Sequence, residues 1–436
     1  MAKKENRHAE LVSASANFDA PYELPERWKW VTIGDCCEKA FSGKSPKYSK
    51  EITPYKIIGQ QANQRYGIDL TFIKYGTKEF AETQQDFYYL QYNDVLLNTL
   101  GTGSIGRSGI YKYDEKILTD GHPFVFRTEK KYVADLLFYY LRLNEQEIIN
   151  TANGSTNQKF LSLKTFLKFP IPLPPTLAEQ KRIVNRIETM FAKLDEAKEK
   201  AQNVVDSFET RKAAILHKAF TGELTANWRK ENGVPDDSWE EKTVGEICLV
   251  KGGKRVPKGM SLVKEKNEHP YLKAGNLKFG TVIDKDMEYV PEDVFKFIKN
   301  YTVSVGDVYI TNVGACIGDC GIIPDCFDGA NLTENAVKLT ELQCHNSYLA
   351  KLLASNLVQQ QIKSKIKSAT LGKLSIDNIK QLAINLPSLA EQQEIVRILD
   401  TVLEKESRAK EAAQTVLDQI ALLKKSILAR AFRGEL

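Results

Sequence analysis

The sequence predicts an α+β fold made twice over. Two similar globular segments of mixed α/β structure are joined by two long antiparallel coiled-coil helices, with the pseudo-two-fold character of an internal repeat. Three observations carry this expectation. A stretch opening Thr176-Leu-Ala-Glu-Gln180 and closing Ala219-Phe-Thr-Gly-Glu-Leu224 returns 212 residues later as Ser388-Leu-Ala-Glu-Gln392 and Ala431-Phe-Arg-Gly-Glu-Leu436. Between these ends, apolar residues recur at alternating steps of three and four, the spacing of a coiled-coil seam. Ahead of each stretch stands a globular segment that begins on a matched tryptophan, Trp28 and Trp239.

The helix limits follow from local chemistry. Thr176 with Glu179, and Ser388 with Glu391, have capping-box spacing, in which hydroxyl and carboxylate satisfy backbone donors at a helix start. Pro174, Pro175 and Pro387 precede them, where a helix has not begun. Gly222 and Gly434 fall where a left-handed C-terminal residue is expected. A straight helix of this length would run about 66 Å.

The first seam reads Ile183, Ile187, Met190, Leu194, Ala197, Ala201, Val204, Phe208, Arg211 and Ile215. The second reads Ile395, Leu399, Val402, Glu406, Ala409, Ala413, Val416, Ile420, Leu423 and Ile427. Each carries one charge. Setting Arg211 against Glu406 in an antiparallel pair places Ala197 against Ile420, Ala201 against Val416, Val204 against Ala413 and Phe208 against Ala409. Small then meets large in each layer, which fills space, and the charge pair fixes the register. The competing reading packs each helix on its own globular segment.

With 436 residues, 27% charged and 42% apolar, the chain has room for two or three domains with ample cores. A net charge of +5 permits a polyanionic partner without requiring one. The seven cysteines form no C-x-x-C pair, so they are expected as small apolar core residues and no metal site is expected. Residues 1–20 are polar and read as a disordered lead, not a signal peptide. The sequence has no run of 18 apolar residues, so no membrane contact is expected and the compartment reads as cytoplasmic.

The expected order is 1–20 lead, 21–175 first globular domain, 176–224 central long helix, 225–234 polar linker, 235–387 second globular domain and 388–436 C-terminal long helix. Trp28, Thr32 and Gly34 match Trp239, Thr243 and Gly245. Gly43–Pro46 matches Gly253–Pro257, and Pro54–Gly59 matches Pro270–Gly275. Asn93-Asp-Val95 matches Gly306-Asp-Val308, and Thr156 with Lys159 matches Thr370 with Lys373. Short strands are expected at 94–98, 109–113 and 123–127, with helices over Lys131–Ile149 and Asn346–Ile366. Apolar strands Phe169–Pro174 and Leu382–Pro387 lead into the long helices.

Gly101-Thr-Gly-Ser-Ile-Gly-Arg-Ser108 contains G-x-G-x-x-G and nearly matches a phosphate-binding loop, with arginine in place of lysine. A true phosphate loop needs the lysine and a following helix, whereas Gly109-Ile-Tyr reads as a strand. The sequence has no G-x-S-x-G, no H-E-x-x-H and no Asn/Asp-Pro-Pro-aromatic motif of the kind amino-methyltransferases use, so no catalytic residue is assigned. The polar loops are rich in side chains that read nucleic acid: Arg and Lys suit guanine and phosphate, Asn and Gln suit adenine. The candidate DNA-binding residues in the first half are Lys44, Gln60, Gln61, Asn63, Arg65, Asn98, Thr99, Thr102, Ser104, Arg107, His122, Asn157 and Lys159. Those in the second half are Lys254, Arg255, Lys273, Asn276, Lys278, Thr311, Asn312, Asn331, Asn335 and Lys373.

On Leu173–Ile183, Leu386–Ile395, the two Ala-Phe-x-Gly-Glu-Leu closings and the tryptophan-led domain starts, the chain resembles the specificity subunit of a type I restriction–modification system. The resemblance implies two target-recognition domains, each reading half of a bipartite asymmetric site on double-stranded DNA, with the helices as spacer and docking surface. It implies two modification (methyltransferase) subunits that use S-adenosylmethionine to methylate adenine N6, and restriction subunits with ATPase and nuclease activity that use ATP and Mg. This chain would hold no cofactor itself. Two other readings compete: a coiled-coil scaffold that binds only proteins, and a nucleotide-using enzyme built on Gly101–Ser108.

Overall fold

A computed structural model describes residues 21–65, 67–101, 103–153, 159–366 and 372–436. The expected lead, 1–20, lies outside them, as do Thr156 and Thr370. The chain forms two compact units. One combines the chain up to Lys200 with Thr415–Leu436, and the other is Ala201–Gln414. Each long helix, Leu177–Phe220 and Leu389–Phe432, is 44 residues and is divided between the units.

In the first unit a four-stranded antiparallel sheet has the order Cys37–Ser42, Pro123–Thr128, Val95–Asn98, Ser108–Ile110. A mixed sheet sets Lys56–Ile58 between Lys74–Tyr75 and a parallel partner, Leu118–Thr119. Lys29–Thr32 pairs antiparallel with Pro170–Leu173 immediately before the first long helix. The second unit repeats each piece. Its sheet order is Leu249–Gly252, Ala336–Thr340, Val308–Thr311, Cys320–Ile322, and Pro270–Leu272 lies parallel to Asn331–Leu332. Glu240–Thr243 pairs with Ala383–Leu386.

The cores show why the long helices belong to both units. In the first, Ile183, Ile187 and Phe191 from one long helix join Leu428, Ala431 and Phe432 from the end of the other, around Phe124, Tyr140 and Phe169. In the second, Leu216, Ala219 and Phe220 join Ile395, Val396 and Leu399 around Tyr348. The terminal phenylalanines take equivalent places: Phe432 meets Tyr140 edge-on at 5.0 Å, and Phe220 meets Tyr348 at 5.4 Å. Gly222 and Gly434 follow with φ of 84° and 77°, the left-handed closings expected.

Within each unit the helix segments run antiparallel. Arg211 Nε donates to Glu406 Oε2 at 2.8 Å in the second unit, the register pair expected from the sequence. Lys424 bonds Asp195 at 2.6 Å in the first. The apolar seam is less sealed than its spacing implies: Val416 and Leu423 are 39% and 47% exposed. Two paired helices cover only part of a seam side chain, which leaves these two open to solvent.

Other expectations need correction. The helix expected over Lys131–Ile149 is two, Ala134–Leu143 and Glu145–Asn150, broken where the Asn144 side chain turns back onto the Tyr140 carbonyl. The one over Asn346–Ile366 breaks at buried Ser355, whose hydroxyl bonds the Leu352 carbonyl. The 225–234 linker contains a helix, Ala226–Glu231, whose Arg229 is buried against Glu391 at 2.7 Å. The capping hydroxyls act as expected, taking the Glu179 and Glu391 amides from Thr176 and Ser388 at 3.2 and 3.3 Å. The carboxylates do not turn back. Glu179 accepts from Trp28 Nε1, and Glu391 accepts from Thr225 and Arg229. At Glu391 the donor is a guanidinium, whose charge-assisted bond wins over the local amide.

Two outcomes are expected. Ala197→Cys with Ile420→Cys should form a disulfide on oxidation, seen as a faster-migrating band on a non-reducing gel, because the Arg211–Glu406 register sets them opposite. Arg229→Met should lower stability by about 3–5 kcal/mol in denaturant unfolding, since it leaves the fully buried Glu391 carboxylate without its cation.

Candidate nucleic-acid interface

The same backbone devices shape both polar faces. Gly43 lies against the Thr119 and Asp120 carbonyls, and Gly253 against those of Leu332 and Thr333, so a Cβ at either would overlap backbone. The basic residue that follows each lies over a ring, Lys44 over Tyr88 at 5.4 Å and Lys254 over Tyr301 at 5.6 Å. Asn93 and Gly306 both take positive φ, 76° and 84°. The next residues, Asp94 and Asp307, cap the turns through the Gln91 and Ser304 amides at 2.8 and 2.9 Å. Asp94 also bonds Arg127 at 2.7 Å, yet burial pushes its carboxyl above the usual range.

The glycine loop Gly101–Ser108 connects two antiparallel strands, Val95–Asn98 and Ser108–Ile110, so it lacks the helix a phosphate loop needs. Gly101, Gly103 and Gly106 have φ of 93°, 86° and 81°. The Arg107 guanidinium donates to the Gly103 and Asn63 carbonyls at 2.8 and 3.3 Å, bracing the turn. Ser104 Oγ bonds the Leu100 carbonyl at 2.9 Å.

Several candidate base readers are braces instead. Asn63, Asn98, Thr99, Asn276, Thr311, Asn312 and Asn331 are buried. Asn63 Nδ2 donates to Asn98 Oδ1 and to the Arg107 carbonyl, and Asn98 Nδ2 donates to the Gln60 carbonyl at 3.1 Å. Thr99 bonds the His122 carbonyl. In the second unit Asn276 bonds the Ile283 and Lys285 carbonyls, and Thr311 the Cys316 carbonyl. Asn312 bonds the Leu374 carbonyl and Asn331 that of Ile298. The loops are held by these side chains because irregular backbone inside a fold must find partners for its carbonyls. The expectation that they face bases is therefore corrected.

Three more candidates are ion-paired: Arg65 with Glu145, Arg255 with Glu334 and Lys273 with Glu288. Lys44, Gln61, His122, Lys254 and Lys373 are exposed, and Gln60, Lys159, Lys278 and Asn335 are half-buried. Thr102 and Asn157 lie outside the described residues. In the first unit the structure draws Gln60, Gln61, Asn98, Thr99 and His122 together around the glycine loop. Phe160 bridges to Leu100 there, as Lys373 bridges to Val313 in the second unit, so Lys373 corresponds to Phe160 and the expected match of Lys159 to Lys373 is one residue out of step.

The sequence match of Pro54 to Pro270 is two residues out of step. By strand pairing, Ile57 corresponds to Tyr271, since each pairs with the parallel strand, at Leu118 and Asn331. Buried Asp120 and exposed Tyr48 and Phe72 escaped notice among the candidates, although Asp120-Gly121 is a turn signal. Cys36, Cys248 and Cys320 are buried, and burial raises their thiols, that of Cys248 to about 12; Cys326 is exposed, against expectation. Among the described residues no cluster of three His, Cys, Asp or Glu could hold a metal ion, and no helix is long and apolar enough to cross a membrane.

Each unit thus carries the same scaffold of braced loops, with basic or amide groups at its rim. The type I restriction modification DNA specificity domain matches the chain twice, over residues 25–206 and 236–416, and the chain belongs to that family. It is 26% identical over 321 residues to the EcoBI specificity subunit of Escherichia coli, covering 69% of this chain and 65% of that one. It is 25% identical over 431 residues to the MjaVIII specificity subunit of Methanocaldococcus jannaschii, covering 95% and 94%. The crystal structure of the HsdS subunit from Thermoanaerobacter tengcongensis shares the fold, with a TM-score of 0.67, 18% identity and coverage of 96% and 99%.

The bracing and exposed groups should separate by experiment. Asn63→Ala should destabilise the protein by about 1–3 kcal/mol, because it strands buried partners. Gln61→Ala, at an exposed position, should leave the melting temperature within error. Differential scanning calorimetry of the two variants checks both.

Proposed function

We propose that the chain is a non-catalytic specificity subunit that reads a bipartite, asymmetric site on double-stranded DNA, each unit reading one half. It then directs adenine-N6 methylation, and restriction of unmethylated DNA, by partner subunits in the cytoplasm. The partners in this reading are two modification subunits, which use S-adenosylmethionine, and restriction subunits, which use ATP and Mg. One observation carries it: two family-matched segments build one loop scaffold twice, with different side chains at equivalent rim positions. His122 and Asn335 both immediately precede the sheet strands Pro123–Thr128 and Ala336–Thr340, and Phe160 and Lys373 are likewise equivalent. A constant frame with unlike rims suits two unlike half-sites. Each wrong base pair typically costs about 1–3 kcal/mol, so two short half-sites read together reach a specificity neither has alone.

The test is a map of N6-methyladenine in cells carrying the cognate modification subunit, with and without this chain. A two-part motif with a fixed gap should appear only with the chain. Identical methylation without it, or none from a confirmed complex, removes the reading in favour of a protein-binding scaffold.

A further inference from the structure

Beside the glycine loop of the first unit lies a cleft of about 270 Å³, lined by Tyr48, Gln61, Phe72, Lys74, Asp120 and His122 among others. That is below the roughly 300–1,000 Å³ typical of sites that enclose a small molecule, and suits the edge of one base. Tyr48 and Phe72 stand 44% and 41% exposed at its walls. The cleft adjoins the loops just described, because the Gln60 carbonyl takes Asn98 Nδ2 and the His122 carbonyl takes the Thr99 hydroxyl.

The carboxylate of Asp120 is the unusual group here. The residue is 7% exposed, and its amide bonds the Ile58 carbonyl at 2.9 Å. Its Oδ1 takes the His122 amide at 3.0 Å, while among the described residues no hydrogen bond or ion pair reaches Oδ2. The nearby cation, Lys74, lies instead over the Tyr48 ring at 5.0 Å. Gly59 leaves the room that Oδ2 occupies, since a Cβ there would overlap it. Burial pushes this carboxyl above its ordinary range. Asp120 lines the cleft, so a donor carried by a partner can reach the oxygen that the protein leaves unpaired.

The second unit has no carboxylate at the equivalent position. Its equivalent residue, by the same backbone bond to the parallel strand, is Thr333, whose amide meets the Leu272 carbonyl at 3.0 Å. Thr333 donates its hydroxyl to Glu334, which Arg255 already pairs. The carboxylate is thus peculiar to one half of the repeat.

In the major groove the amino donors are cytosine N4 and adenine N6. Adenine pairs its donor with an acceptor, N7, and so suits an amide, whereas an acceptor-only carboxylate suits cytosine. We propose that Asp120 is a specificity-determining residue that accepts a hydrogen bond from the 4-amino group of a cytosine in the half-site read by the first unit. The inference rests on the DNA-reading function proposed above.

The experiment uses the complete complex with modification subunits and duplexes carrying its mapped site. Each cytosine is replaced in turn by 2-pyrimidinone, which lacks the 4-amino group. One replacement in the first half-site should weaken binding about tenfold. That penalty should shrink in Asp120→Asn, and the Asp120→Asn methylation map should relax at the same position while keeping the second half-site and the gap. A first half-site without a C·G pair overturns the proposal, as does a wild-type complex indifferent to every replacement. The analogue scan needs only wild-type protein, so it decides even if Asp120→Asn fails to fold. A wild-type complex that binds no bipartite site defeats the reading function itself, a separate outcome.

Discussion

The structure depends on the burial of two helix ends. Phe432 and Phe220 are 0% and 1% exposed, and each closes a core whose other wall is the beginning of the opposite long helix. Neither core is complete without the end of the long helix that begins in the other unit. Removing a buried phenylalanine side chain costs about 3–5 kcal/mol, a large share of the roughly 5–15 kcal/mol by which a domain is stable. This exchange also dictates the antiparallel course of the helix segments within each unit, because one helix must enter where the other leaves. The Arg211–Glu406 pair then selects a register and contributes little stability, being partly exposed at both ends.

Elements governed by local rules were legible from the sequence. The long helices could be bounded to within a few residues because prolines, capping hydroxyls and glycines act on adjacent backbone. The strands before them, Pro170–Leu173 and Ala383–Leu386, were visible for the same reason. Elements governed by distant partners were not. The Glu179 and Glu391 carboxylates were assigned to their own helix starts, yet a tryptophan and an arginine far along the chain take them. Arg229 in a polar stretch gave no sign that it would be buried.

The candidate site was legible as a set of loops and less so as a set of readers. Asparagine serves equally to read an adenine and to hold a turn, and composition does not separate the two uses. Burial does: Asn63, Asn98, Asn276, Asn312 and Asn331 hold turns, while Gln61 and His122 face outward. The repeat gave equivalences where glycine or aspartate is required by the backbone, as at Gly43 with Gly253 and Asp94 with Asp307. It slipped by two residues at Pro54 and Pro270, where a proline precedes a strand in one copy and begins it in the other. Rim positions carry no such backbone requirement. That freedom lets one frame present unlike surfaces in its two copies.

The most direct test of this architecture is hydrogen–deuterium exchange on Phe432→Ala. The account predicts faster exchange in the first unit, above all in the helix Ala134–Leu143 that carries Tyr140, with Asn346–Ala354 in the second unit as protected as before. Unchanged protection of Ala134–Leu143, or equal loss in both units, would contradict the claim that each core is closed by the end of the other half's helix.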